Sequence, residues 1–142
     1  MAAKSGNVKP LGKREFKQKI YDYTFSKEWE YKGDLPAVID FYADWCNPCK
    51  IIAPILNELS VDYEGRVNFY KVNTEKDPQL SKLFGISSIP TLLLIPLDGK
   101  PTMVRGAQPK MVLKRNIEKL LPGSNKGISI SRLFSFRRKT RA

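Results

Sequence analysis

The feature that most constrains the fold is an apolar run at residues 36–43 (PAVIDFYA), followed almost at once by the motif WCNPCK at residues 45–50. The run is nearly all apolar instead of alternating, which is typical of a central parallel strand covered on both faces. The proline of the motif favours the first turn of a helix. A buried strand that ends in a sharp turn and opens a helix is typical of an α/β domain.

The only two cysteines of the chain, Cys46 and Cys49, lie at this turn, three positions apart. At the start of a helix this spacing brings both sulfurs to one side of the first turn, close enough to join. The unpaired N–H groups and the positive end of the helix dipole favour an anion at Cys46. A thiol in such a position ionises more easily, and the thiolate is the reactive form. The motif therefore predicts a redox-active dithiol.

Three other interpretations of a CxxC motif are weaker in this chain. A structural zinc or iron–sulfur site needs about four Cys or His ligands. The chain has two Cys and no His, so such a site would require a dimer. Attachment of c-type haem needs His after the second cysteine, where Lys50 stands. An inert pair of core thiols is disfavoured because Asn47 and Pro48 suit a turn. We therefore expect no metal and no cofactor.

Length and cysteine usage limit the class of protein. A chain of 142 residues suits one compact domain, and two cysteines cannot form the disulfide framework of a small secreted protein. No segment approaches the length of about 18 apolar residues that a membrane span needs. Residues 1–13 are polar and basic, without the apolar segment of a signal peptide. These features predict a soluble cytoplasmic protein, although a chain whose leader had been removed would look the same.

The positive charge is unevenly distributed. Of the formal net charge of +11, residues 122–142 contribute +6, through six basic residues and no acidic one. Residues 1–121 carry the remaining +5, which alone does not imply nucleic-acid binding, and we expect no nucleic-acid partner. For the basic tail we favour a disordered extension. The alternatives are a segment that attracts acidic partners, anionic membrane or nucleic acid, and an added edge strand.

Periodicity and turn residues predict the remaining elements. In order, they are an edge strand near 7–11, a helix at 13–24, the strand at 36–43, a helix at 48–63, a strand at 66–73, a helix at 78–84, a strand at 91–95, an edge strand at 101–104 and a helix from 109 to 121. Ile51 is assigned to the apolar face of the second helix. Trp29 and Tyr31 are expected to pack against the domain rather than form a binding surface. This order predicts a central mixed sheet of about five strands flanked by four helices.

Asp40 is the one charged residue within the apolar run. A carboxylate buried there loses its solvation, so its pKa should rise and it becomes a candidate acid or base. A structural Asp paired with a lysine is the alternative. The position of Asp40, a few residues before the cysteines, favours the functional interpretation.

Four features in order resemble the thioredoxin family over roughly residues 13–121. The segment VIDFYADWCNPCK resembles the strand and active-site motif of that family, GISSIPTLLL its cis-proline loop, and VRGA its glycine loop; Asp40 and Pro54 also match. The resemblance implies an α/β thioredoxin fold. It divides the chain into an N-terminal arm (1–12), a thioredoxin domain (13–121) and a basic C-terminal tail (122–142).

The resemblance also implies roles for individual residues. Cys46 would attack the substrate, and Cys49, deeper in the helix, would resolve the mixed disulfide. Asp40 would help to move the proton of the second cysteine, and Lys71 matches the lysine beside it. The residues that would flank the cysteines or line the substrate groove are Trp45, Asn47, Pro48, Ile89, Pro90, Gly106 and Ala107.

The implied activity is that of a protein-disulfide reductase without a bound cofactor. Its implied partners are disulfide-containing substrate proteins and an NADPH-dependent thioredoxin reductase, a flavoprotein, and we expect a monomer. Asn47 departs from the glycine that is typical of thioredoxins, which leaves the reduction potential open. Pro48 and Asp40 favour a reductant, because strongly oxidising relatives usually carry His before the second cysteine. The alternatives are an extracytoplasmic disulfide oxidase or isomerase, and a redox-independent binding module.

Overall fold

The computed structural model describes residues 6–123, so the predictions for the basic tail lie outside the described residues. Its elements are β1 (Val8–Pro10), α1 (Lys13–Lys19), β2 (Ala37–Tyr42), α2 (Asn47–Asp62), β3 (Asn68–Asn73), α3 (Pro78–Leu83), β4 (Thr91–Ile95), β5 (Thr102–Arg105) and α4 (Lys110–Glu118). The number, order and type of these elements agree with the prediction. Within this part of the chain, no helix has the length and apolar character that a membrane crossing requires.

The five strands form one mixed sheet in the order β1-β3-β2-β4-β5. β2 lies at the centre, parallel to β3 and antiparallel to β4, and Asp40 is opposite Lys71 in the register with β3. β1 pairs with β3 as an edge strand, and β5 pairs with β4 at the other edge. The apolar run at residues 36–43, which contains Asp40, thus becomes the central strand, as its pattern predicted.

Each face of the sheet is covered by two helices. On one face, Phe16 of α1 and Leu80 of α3 pack in a cluster that includes Ile39 of β2. On the other face, residues of α2 and α4 pack in a cluster that includes Val38. Side chains alternate between the two faces of a sheet along a strand, so Asp40, two residues after Val38, lies on the same face as Val38. The carboxylate therefore belongs to the sheet face that α2 covers.

The first helix is shorter than predicted, since it ends at Lys19 and not near Thr24. The carboxylate of Asp22 accepts hydrogen bonds from the Thr24 backbone N–H at 3.2 Å and from its hydroxyl at 2.6 Å. Such local bonds favour a turn over a helix. In addition, the Ile20 carbonyl accepts a hydrogen bond from the Lys32 N–H at 2.8 Å, which draws the chain away from the helix axis.

The aromatic connection before β2 packs against the domain, as expected. The rings of Trp29 and Tyr31 stack with centroids 6.5 Å apart, and Trp29 also contacts Tyr21 at 4.9 Å. Both residues are partly buried against the cluster that contains Phe16. The prediction that they pack against the domain is confirmed.

The assignment of Ile51 to the apolar face of α2 was wrong. Ile51 is 64% exposed, whereas its neighbour Ile52 is fully buried against the sheet. Consecutive residues of an α-helix point about 100° apart, because about 3.6 residues complete a turn. The buried face of α2 is centred on Ile52, Leu56 and Leu59, so Ile51 projects to one side of it and into solvent. The sequence alone did not decide between the two isoleucines.

This pair gives a test of the orientation of α2. Replacing Ile52 by Ala leaves a cavity between the helix and the sheet and should lower the free energy of unfolding by about 2–5 kcal/mol. Ile51→Ala, the matched control, should change it by about 0.5 kcal/mol or less. Urea unfolding of the oxidised proteins measures both values. Equal losses in the two variants would contradict the orientation described here.

Candidate active site

The two cysteines form a disulfide at the start of α2. Cys46 is the N-cap residue, with an extended backbone, and its Sγ accepts a hydrogen bond from the Cys49 N–H at 3.2 Å. Pro48 occupies the first turn, where a missing N–H costs nothing. The spacing thus brings the sulfurs together as predicted. Cys49 lies within the first turn of α2, deeper in the helix than the N-cap Cys46, as expected, and both residues are 3% exposed.

The disulfide lies in a small apolar cluster at the end of β2. Cys46 and Cys49 pack with the buried Ala43, and the partly buried Tyr42 and Ile89 pack against them. The two residues between the cysteines, Asn47 and Pro48, are exposed. Protein side chains therefore enclose the sulfurs on the inner side, and the turn between them faces solvent.

Two further loops meet near this cluster. The Ile89–Pro90 peptide bond is cis, and the Pro90 carbonyl accepts a hydrogen bond from the Gly106 N–H at 2.8 Å. Gly106 has φ +86°, in the left-handed region that favours glycine, and Ala107 after it is exposed. The structure thus brings together Ile89, Pro90 and Gly106, which the sequence places in two separate segments.

Trp45 is 65% exposed, and one hydrogen bond fixes its position. The indole Nε1 donates to Glu75 Oε2 at 2.6 Å. Glu75 is itself oriented by Asn73, whose Oδ1 accepts the Glu75 backbone N–H at 2.9 Å. Sequence reasoning missed Glu75. The available signal was its position just after β3, because the carboxyl ends of parallel neighbours such as β2 and β3 meet at one edge of the sheet.

Asp40 is buried, at 6% exposure, in the middle of β2. Burial raises the pKa of its carboxyl to about 7, and the positive charge of Lys71 only partly offsets this effect. Its Oδ1 has no hydrogen-bond partner within residues 6–123. The Lys71 Nζ also lies 5.8 Å from the centre of the Tyr42 ring. The sequence-based expectation of a raised pKa agrees with this environment.

These groups support proton-coupled sulfur chemistry. A sulfur at a helix N-cap that accepts a backbone N–H is favoured as a thiolate. A carboxyl group whose pKa is near 7 exchanges a proton readily at neutral pH, and it lies on the sheet face covered by the helix of the cysteines. The site thus combines a reactive sulfur, a second sulfur within bonding distance and a buried acid–base group.

Comparison with known proteins agrees with this geometry. Residues 8–119 match the family model described as Thioredoxin. The chain belongs to the thioredoxin family. Over 96 residues it is 49% identical to the thioredoxin of Borreliella burgdorferi, covering 68% of this chain and 82% of that protein. Over 102 residues it is 42% identical to thioredoxin 1 of a Nostoc species, covering 72% of this chain and 94% of that protein.

A solved structure gives the same fold. The crystal structure of chloroplastic thioredoxin z superposes with a TM-score of 0.67, at 23% identity, over 80% of this chain and 94% of that chain. The thioredoxin fold is therefore established, and Cys46–Cys49 matches the WCxxC-type active site of the family. Thioredoxins are protein-disulfide oxidoreductases, and the chain belongs to that class of enzyme.

The buried carboxyl group predicts a particular dependence of stability on pH. The pKa of Asp40 is about 7 in the folded protein and about 3.9 in an unfolded chain. The protonated form therefore stabilises the folded state fully below about pH 4, and this contribution is lost as the pH rises through about 7. The free energy of unfolding should fall over this interval by up to about 1.4 kcal/mol per pH unit.

Asp40→Asn cannot ionise at this position, so it should lack this decline and should be more stable than the parent protein at pH 8. Asp44→Asn, at an exposed position two residues before Cys46, is the matched control and should keep the decline. Urea unfolding of the three oxidised proteins at pH 4 to 8 measures the effect. The same decline in Asp40→Asn as in the parent would show that another group causes it.

Proposed function

We propose that this protein reduces disulfide bonds of other proteins through Cys46 and Cys49. The observation that carries the proposal is the hydrogen bond from the Cys49 N–H to Cys46 Sγ, 3.2 Å long, at the N-cap of α2. Once the disulfide is reduced, the same N–H and the helix dipole would stabilise negative charge on Cys46. That asymmetry distinguishes the two sulfurs although their exposure is equal.

In the first step, the Cys46 thiolate attacks one sulfur of the substrate disulfide. A new bond forms between Cys46 and that sulfur, the substrate S–S bond breaks, and the second substrate sulfur leaves as a thiolate. In the next step, Cys49 loses its proton and attacks Cys46 Sγ. The mixed disulfide breaks, the substrate leaves as a dithiol once both sulfurs are protonated, and the enzyme retains the Cys46–Cys49 disulfide. Two electrons pass from the enzyme to the substrate.

Asp40 is the proposed acceptor of the Cys49 proton. Its carboxyl group has a pKa raised to about 7 by burial, so it is partly ionised at neutral pH and able to take up a proton. Lys71 lies opposite Asp40 in the sheet register, and its positive charge favours the ionised carboxylate. A fraction of Asp40 is therefore ionised and able to accept the proton of Cys49. Proton transfer through a water molecule between Asp40 and the sulfur is compatible with this role.

The substrate chain is proposed to bind across the exposed rim of the site. Ile89 would offer its backbone to an extended substrate segment, as the edge of a sheet does, because Pro90 after it has no N–H. The remaining residues of the proposed groove, which lie around the cysteines or on the adjoining glycine loop, are Trp45, Asn47, Pro48, Gly106 and Ala107.

Several broader features complete the proposal. Reducing equivalents would come from NADPH through a thioredoxin reductase, because thioredoxins are generally recycled in this way. We propose a monomer in the cytoplasm or another reducing compartment, with residues 13–121 as the catalytic domain. Bacterial relatives support this proposal, and relatives from chloroplasts show that family members also work in an organelle.

Substitution of each cysteine separates the two chemical steps. Cys49→Ser should trap substrate proteins on Cys46 as mixed disulfides, because the resolving sulfur is missing. Cys46→Ser should trap none and should lose turnover in an insulin-reduction assay. The adducts are counted on non-reducing gels, and their loss on adding dithiothreitol is the control for a disulfide link. Equal trapping by both variants would contradict the assignment of Cys46 as the nucleophile.

The reduction potential tests the direction of the reaction. An established value for thioredoxin is about −270 mV, whereas strongly oxidising relatives lie near about −120 mV. We expect the Cys46–Cys49 pair to lie near the thioredoxin value, measured by equilibration in defined thiol buffers with alkylation. A potential near the oxidising value would favour the oxidase or isomerase alternative. Failure to form the disulfide at any potential would favour the binding module.

Asn47→Gly tests whether the departure from the typical glycine matters. Asn47 is exposed, begins α2 and has no positive φ, so its backbone does not require glycine. The substitution should therefore shift the potential by less than about 30 mV, which corresponds to about 1.4 kcal/mol. A shift of twice that size would show that Asn47 sets the potential.

A further inference from the structure

We infer that the outer side of α4 and the basic tail that follows it bind the surface of an anionic membrane. The surface in question, called the basic surface below, consists of Arg115, Lys119 and the basic tail at residues 122–142. This binding goes beyond the proposed reduction of disulfides, and it requires neither cysteine.

Almost all of the net positive charge of the protein lies in the last part of the chain. Residues 105–142 contain 11 basic residues and a single acidic one, a net charge of +10. Residues 1–104 contain 14 basic and 13 acidic residues, a net charge of +1. The positive charge is therefore concentrated on α4 and the tail rather than spread over the domain.

The outer side of α4 presents part of this charge to solvent. Leu113 and Ile117 are buried in the cluster that includes Val38, whereas Arg115 and Lys119 are exposed. Arg115 and Lys119 are four residues apart, so their side chains are neighbours on the helix surface. Within residues 6–123, neither of them forms an ion pair. Both charges are therefore available to an external anion.

The single acidic residue of this region does not cancel that charge. Glu118 accepts a hydrogen bond from the Tyr63 hydroxyl, and its Oε2 lies 3.7 Å from Lys114 Nζ. Tyr63 is the C-cap residue of α2, so the carboxylate of Glu118 is directed toward α2. The charges of Glu118 and Lys114 offset each other there, which leaves Arg115 and Lys119 uncompensated.

The basic tail combines basic side chains with large apolar ones. All but its first two residues lie outside the described part of the chain. Its sequence, PGSNKGISISRLFSFRRKTRA, contains six basic residues, no acidic residue and five large apolar ones. The family model ends at residue 119, so the tail is an addition to the matched domain. Such a mixture is typical of segments that bind a membrane interface, where basic groups meet lipid phosphates and apolar side chains enter the acyl boundary.

A membrane accommodates the apolar side chains of the tail better than nucleic acid does. Nucleic acid offers phosphates to the basic groups, and bases on which Phe134 and Phe136 can stack. It offers no comparable surface to the aliphatic side chains of Ile128, Ile130 and Leu133. A bilayer interface takes up aliphatic and aromatic side chains alike. The cytoplasmic leaflet carries a negative potential, which agrees with the compartment proposed above.

The basic surface is remote from the disulfide. Glu118 contacts Tyr63 at the C-terminal end of α2, whereas Cys46 is the N-cap of the same helix. α2 has 16 residues, which span about 24 Å at 1.5 Å per residue. A membrane that binds the end of α4 and the tail would therefore leave the disulfide accessible to substrate proteins.

The test measures sedimentation of the full chain with lipid vesicles. One set of vesicles contains phosphatidylcholine with about 30% phosphatidylglycerol, and the other contains phosphatidylcholine alone. At about 0.1 M salt, the partition coefficient should be at least about 10-fold higher for the anionic vesicles. It should fall as the salt concentration rises, because salt screens the attraction between the basic groups and the lipid phosphates.

One pair of double variants tests the contribution of α4. Arg115→Gln with Lys119→Gln should lower the partition coefficient by about 5–25-fold, because each basic residue near an anionic surface contributes up to about 5-fold. Arg14→Gln with Lys19→Gln is the matched control. It removes the same two kinds of charge from exposed positions of α1, on the opposite face of the sheet, and should change the coefficient by less than about 2-fold.

A further double variant tests the apolar part of the tail. Leu133→Ser with Phe134→Ser keeps every charge and removes two large apolar side chains. It should lower the partition coefficient at least about 10-fold, because binding at an interface scales with the apolar area that is buried. Urea unfolding should be the same for all variants, since every substitution is on the surface of the domain or in the tail.

Each outcome decides the inference. It is overturned if the protein does not bind anionic vesicles, or if the α1 variant loses as much binding as the α4 variant. Binding that Leu133→Ser with Phe134→Ser does not weaken would also overturn it, because charge alone would then attract any polyanion. A complex with single-stranded DNA, without binding to vesicles, would assign the surface to nucleic acid instead. Reduction of insulin is a separate measurement, so the proposed function stands or fails independently.

Discussion

The burial of β2 between two apolar layers is the constraint on which the rest of the structure depends. Ile39 packs into the layer of α1 and α3, and Val38 into that of α2 and α4. Hydrogen bonding to β3 and β4 holds the strand from both edges. The carboxyl end of β2 is consequently a fixed point, and only three residues separate it from Cys46. The packing of the core around β2 thus determines the position of the Cys46 sulfur.

The same burial explains why the pKa of Asp40 is raised. A carboxylate on the surface would keep a pKa near 4, but Asp40 lies within the strand that the two layers enclose, and its pKa rises to about 7. Ionisation of this buried group lowers the free energy of unfolding of the whole domain. The burial of β2 therefore both positions the sulfurs and raises the proton affinity of Asp40.

Much of this arrangement could be predicted from the sequence, because β2 and the cysteine turn depend on neighbours in the chain. Ile51 was misassigned because two adjacent isoleucines give no information about which one faces the sheet. The cis bond before Pro90 came from the family resemblance, since only about 5–6% of X–Pro bonds are cis. Glu75 was missed because its importance lies in a contact with Trp45, which is distant in the chain, and no local pattern records such a contact.

The low exposure of both cysteines has a consequence for how electrons enter and leave the protein. At 3% exposure each, the oxidised sulfurs are nearly hidden from solvent, and thiol–disulfide exchange requires the attacking thiolate to reach a sulfur directly. A small dissolved thiol such as glutathione finds little open path. A protein that docks on the rim brings its own thiolate to the sulfur. We therefore expect the pair to exchange more slowly with small thiols than with proteins whose surfaces complement the rim.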